Sequence, residues 1–104
     1  MHKLISGIIE FREGELPRYA ERFRNLALAQ SPDALMLTCS DSGVVPDMLA
    51  STNPGDLFTM PNVGNLVPPA TAEGISVGDV SEASANEYAV LVLKVANIVV
   101  CGHS

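Results

Sequence analysis

The sequence predicts an α/β protein built on a parallel sheet. Three observations carry that reading. Ala34-Leu35-Met36-Leu37, Leu57-Phe58-Thr59-Met60 and Ile98-Val99-Val100-Cys101 are short apolar runs of strand length. The segments before and between them carry helical spacing, and strands joined by helices favour parallel pairing. Two of the runs also lead into metal-ligand residue types, Cys39 with Asp41 and then His103. In open α/β sheets such groups collect at the carboxyl ends of strands.

Residues 2–11 set Leu4, Ile5, Ile8, Ile9 and Phe11 on one helical face. Residues 15–30 repeat the pattern with Leu16, Tyr19, Ala20, Phe23, Leu26 and Ala27. Gly14 is expected to separate these two helices, and Pro17 suits the first turn of the second. Both stripes read as docking faces. Ser31-Pro32-Asp33 is a turn, and residues 34–38 are the first strand. Pro46 opens a short helix to Ser51, because a first-turn proline forgoes an N–H that has no helical partner. Asn53-Pro54-Gly55-Asp56 is a second turn. The strand that follows is expected to end at Pro61, which has no N–H for a ladder.

Residues 62–78 read as a long loop, punctuated by Gly64, Pro68, Pro69, Gly74 and Gly78. Residues 81–95 form the central helix, with Ser81 as N-cap and Ala89, Val90 and Leu93 toward the sheet. Asn86 interrupts those packing positions. Buried without partners, its amide would cost about 1–3 kcal/mol. Residues 98–101 are the last strand.

One hundred and four residues suffice for one small domain, short for a doubly wound unit. The formal charge of −6 argues against nucleic acid, whose phosphates need a basic surface. No run approaches the ~18 apolar residues of a spanning helix. The nearest, residues 88–101, is interrupted by Lys94 and Asn97. The N-terminus lacks the long apolar core and cleavage site of a signal peptide, so a cytoplasmic protein without a membrane partner is expected. Two cysteines in such a chain read as thiols before they read as a disulfide.

The organising stretch is Thr38-Cys39-Ser40-Asp41-Ser42-Gly43-Val44-Val45-Pro46-Asp47. If the first and last strands are parallel in one sheet, Cys39, Asp41 and His103 emerge at the same edge. Thiolate, carboxylate and imidazole all ligate zinc. Each has a plainer reading as well. Cys39 serves equally as a buried thiol, Asp41 as a cap over the Ser42 or Gly43 backbone, and His103 as a frayed terminal residue. Cys101 reads as core.

Cys39-Ser40-Asp41-Ser42, Val45-Pro46-Asp47, Gly55-Asp56-Leu57-Phe58, Asn62-Val63-Gly64-Asn65, Glu87-Tyr88-Ala89-Val90 and Gly102-His103-Ser104 resemble the β-class carbonic anhydrases in order and spacing. The resemblance implies a three-layer fold, a parallel β-sheet flanked by helices, here in truncated form. It divides the chain into an N-terminal helical arm, residues 1–30, and an incomplete α/β core, residues 31–104. It implies zinc-dependent, reversible hydration of CO2 to bicarbonate, with Cys39 and His103 as zinc ligands and Asp41 as the catalytic carboxylate that shares a metal position with water. It also implies a homo-oligomer, a dimer or larger, joined through the N-terminal helices.

Three positions depart from the family pattern. Gly43 stands where the family has the arginine that holds the aspartate off the metal. Pro61 replaces a second common arginine. The family's second zinc cysteine falls three residues after the histidine, and this sequence stops at Ser104. The expected reading is a family member with impaired or absent activity. A metal-free interaction or scaffold remnant is the first alternative, and an active homodimer completed by a partner chain is the second.

Overall fold

The computed structural model describes residues 1–78 and 80–104. The chain divides into two compact units, Met1–Gln30 and Ser31–Ser104.

The first unit is helical: α1 (His2–Glu10), a π-helical turn (Phe11–Glu15) and α2 (Leu16–Leu28). The predicted break at Gly14 is not there. Gly14 lies inside the π turn, whose Phe11 carbonyl accepts the Leu16 N–H. Pro17 gives a physical reason for the widened turn, because it has no N–H to return to the carbonyl four residues back. The path bends as a result. The Phe11 and Phe23 rings meet edge-on with centroids 6.5 Å apart, although twelve residues of straight helix would rise about 18 Å. Tyr19 packs on the same Phe23 ring at 6.2 Å. No residue of α1 is buried, and Leu4, Ile5, Ile8 and Ile9 lie exposed along it.

The second unit holds β1 (Ala34–Cys39), α3 (Pro46–Ala50), β2 (Leu57–Asn62), α4 (Val80–Glu87) and β3 (Asn97–Cys101). The sheet has the order β2-β1-β3, with both pairings parallel, as predicted. Leu35 stands beside Phe58 on one side and Ile98 on the other, and Thr38 stands between Pro61 and Cys101. The Asp33 backbone ties the strand starts together. Its N–H donates to the Asp56 carbonyl at 2.8 Å, and its carbonyl accepts from the Ala96 N–H at 3.2 Å.

β1 is central, so both its edges are paired. Leu35, Leu37, Ala34 and Thr38 are all buried. Leu35 and Leu37 form the core with Ala89, and Phe58, Met60 and Val95 pack around them. β3 lies at an edge and stays open, with Ile98, Val99 and Val100 exposed.

Several local expectations change. β2 continues through Pro61 to Asn62. An edge strand tolerates a proline because its outer N–H groups have no ladder partner to lose. Ser81 lies within the first turn of α4, because the helix starts at Val80. α4 gives way to a π turn (Tyr88–Val92), whose Tyr88 carbonyl accepts the Leu93 N–H at 3.0 Å. The predicted helix to residue 95 therefore ends early, with Lys94 in the left-handed region at φ 56°. The widened turn also rotates the face. Ala89 reaches the core and Val90 is exposed, while Val95 takes a place against the sheet. Asn86 is half-buried. No helix among the described residues is long and apolar enough to cross a membrane.

Candidate metal centre

The carboxyl edge of the sheet is built from the ends of β1, β2 and β3. β1 delivers Cys39 as its last residue, opposite Asn62. The Ser40 N–H then donates to the Asn62 carbonyl at 2.9 Å, which carries the pairing one step beyond the thiol. Asn62 also braces its own loop. Its side-chain Nδ2 donates to the Leu66 carbonyl at 2.9 Å, and its Oδ1 accepts the Leu66 N–H at 2.7 Å. The sequence marked residues 62–78 only as a long loop. An asparagine closing an apolar run was the available signal for this brace.

Asp41 sits in the turn after β1. Its carbonyl accepts the Val44 N–H at 3.0 Å, and its Oδ1 accepts the Gly43 N–H at 2.8 Å. The capping reading of this residue is therefore realised. The other oxygen, Oδ2, lies 3.5 Å from Nε2 of His103, and both side chains are half-exposed. A cleft of about 330 Å³ adjoins this edge, lined among others by Cys39, Asp41, Ser42, Pro46 and Pro61. Pro61 offers no charge to that cleft, at the position where the resemblance leads one to expect an arginine.

Parallel pairing thus brings Asp41 and His103 within reach of each other. Cys39 lies at the same sheet edge, half-buried and with a free thiol. Among the described residues, no three His, Cys, Asp or Glu side chains are grouped to hold a metal ion. The donor types suit zinc, and two of the three converge. Cys101 is also half-buried and free. It stands beside Thr38, one register step from Cys39, so the strand alternation turns the two thiols to opposite faces.

Comparison with known proteins agrees with this architecture. The carbonic anhydrase family model matches residues 34–104. A carbonic anhydrase of Pseudomonas aeruginosa is 45% identical over 104 residues, covering 100% of this chain and 45% of that protein. One from Synechocystis is 40% identical over 105 residues, with coverage of 100% and 36%. Among solved structures, the β-carbonic anhydrase CcaA superposes with a TM-score of 0.90 at 39% identity, over 100% of this chain and 48% of that one. A tetrameric β-carbonic anhydrase from Sordaria macrospora gives 0.82 at 33% identity, with coverage of 99% and 48%. The chain spans about half the length of such relatives or less. The matched family model and the shared parallel sheet place this chain in the β-carbonic anhydrase family.

Proposed function

We propose that this chain is a zinc-binding member of its family whose reversible hydration of CO2 to bicarbonate is impaired or lost. The observation that carries the reading is the hold on Asp41. One carboxylate oxygen is taken by the Gly43 N–H and the other leans toward His103. In the resemblance set out above, an arginine at position 43 grips this aspartate bidentately, a strong and directional contact. Glycine offers only its backbone. Cys39, Asp41 and His103 are the residues that would hold zinc, and Asp41 is the group that would compete for the position water needs. When bound, zinc lowers the pKa of a coordinated water from ~15.7 towards ~7 and so makes a nucleophile available at neutral pH. The Pro46 and Pro61 side of the cleft supplies an apolar wall for CO2.

Residues 1–30 act in this reading as an arm that packs on a second copy of the chain. The exposed stripe Leu4, Ile5, Ile8 and Ile9 supports it. The same stripe favours the second reading, a metal-free scaffold, because it provides a docking face that needs no chemistry.

The test is zinc per chain in protein purified without added metal, followed by CO2 hydration. The expected result is close to one zinc per chain, with hydration roughly ten- to a hundredfold below the Pseudomonas relative, the scale set by losing a group that orients a ligand. A zinc-dependent rate near that of the relative overturns the impairment. A zinc content near zero moves the reading to the scaffold.

A further inference from the structure

A second cavity, of about 380 Å³, lies apart from the Cys39 edge. The loop after β2 gives one wall with Val67 and Pro68, and α4 gives the other with Ala83, Asn86 and Glu87. The loop wall is braced by its own backbone. The Thr71 N–H donates to the Ile75 carbonyl at 2.7 Å, and the Val77 N–H donates to the Pro69 carbonyl at 3.1 Å. An antiparallel bridge joins Ala70 and Ser76. The Pro68 ring packs against Gly78 so closely that a Cβ there would meet it at 3.0 Å.

Glu82 lines this cavity and is only 7% exposed. Its Oε2 is buried and has no hydrogen-bond partner among the described residues. A buried carboxylate oxygen without a donor is strongly disfavoured, so such a group calls for a cationic or donor ligand. Glu87 adds a second carboxylate to the lining. The net charge of −6 draws cations toward the molecule.

We propose that this cavity binds a small organic ammonium, with Glu82 as its counter-ion and the Val67, Pro68 and Ala83 wall around its apolar body. The volume and the mainly apolar wall with a few polar groups are those of an organic-ligand pocket. A metal ion fits less well, since no three metal-ligating side chains are grouped among the described residues.

The probe is cyclohexylammonium, with neutral cyclohexanol as its isostere, titrated into the whole chain and read from the amide NMR shifts of Ala83 and Asn86. Saturable shifts with the amine, at least tenfold weaker with the alcohol and at least tenfold weaker in Glu82→Gln, are expected. Equal binding of both probes overturns the proposal, as do unchanged binding in Glu82→Gln and no binding at 50 mM amine. Saturable shifts with calcium chloride but none with the amine overturn it in favour of a metal site. If Glu82→Gln does not fold, Ala83→Leu decides: it fills the cavity and leaves the carboxylate, so retained amine binding there sinks the idea and lost binding supports it.

Discussion

The Asp41 carboxylate is oriented by the backbone of Gly43. The Gly43 N–H donates to Oδ1 at 2.8 Å, and that bond leaves Oδ2 3.5 Å from Nε2 of His103. Two variants separate the geometry from the charge. Asn at position 41 keeps an acceptor for the Gly43 N–H, so Asp41→Asn is expected to stay within about 0.5 kcal/mol of the parent in urea unfolding. Asp41→Ala loses the acceptor and is expected to cost about 0.5–1.5 kcal/mol. Both are expected to lose most of their zinc, because neither presents a carboxylate. Full zinc content in Asp41→Asn would remove Asp41 from the ligand set.

Position 43 has room for little more than glycine while Asp41 keeps this pose. A Cβ built there lies 3.1 Å from Asp41 Oδ1. Gly43→Arg is therefore expected to push the carboxylate aside by a few tenths of an ångström and then to compete for it as a bidentate partner. Zinc content should fall, because the arginine draws the Asp41 carboxylate out of the set with Cys39 and His103, and CO2 hydration should remain unrestored. A rise in hydration of tenfold or more from this single change would show that the loss of the arginine is the whole defect.

The sheet was legible because its strands are short apolar runs and its connections contain helices. Parallel pairing of Ala34–Cys39 with Asn97–Cys101 follows from that order, and it is what brings Asp41 to His103. The choice between ligand and cap for Asp41 was not legible, since an aspartate two residues before a glycine suits both roles. The π turns were hidden as well. Helical periodicity assumes a constant rotation per residue, and the turn at Tyr88–Val92 breaks it, so Val90 points out and Val95 packs in. Glu82 escaped notice because a glutamate near a helix start normally reads as a solvated group favoured by the helix dipole. Its burial depends on the fold of residues 66–78, and no local pattern encodes that.

Leu4, Ile5, Ile8 and Ile9 remain about half exposed or more in the single chain. If α1 is an arm for a second copy, polar replacements there should leave the fold alone and change the assembly. Ile5→Gln with Ile8→Gln is expected to shift sedimentation from a dimer or larger species to the monomer at micromolar concentration, with an unchanged far-ultraviolet dichroism spectrum. A parent that is already monomeric at millimolar concentration would dispose of the arm.

Lys94 ends the helical segment with φ 56°, after Leu93 at φ −79°. This is the left-handed position that follows many helices, where a Cβ is unfavourable and glycine is the usual occupant. Lys94→Gly is expected to stabilise the chain by up to about 1 kcal/mol, read as a higher urea midpoint with the same slope. The gain is partly offset because glycine also loosens the unfolded chain. A lower midpoint would mean that the lysine stem contributes more than its backbone strain costs.

Leu35 and Ile98 stand side by side in the sheet, at the same register and on the same face, yet their surroundings differ. Leu35 is fully buried on the central strand, in contact with the Ala89 cluster. Ile98 is on the edge strand and 51% exposed. Leu35→Ala is expected to cost about 2–5 kcal/mol, since it removes buried methyl groups and leaves a cavity among atoms that cannot fully close it. Ile98→Ala is expected to cost well under half as much, because much of that side chain is in water before and after the change. The comparison is made in dilute protein, where an edge strand has no second chain to cover it. Equal losses for the two variants would mean that β3 is covered in solution, and a concentration-dependent loss at Ile98 alone would assign the cover to another copy of the chain.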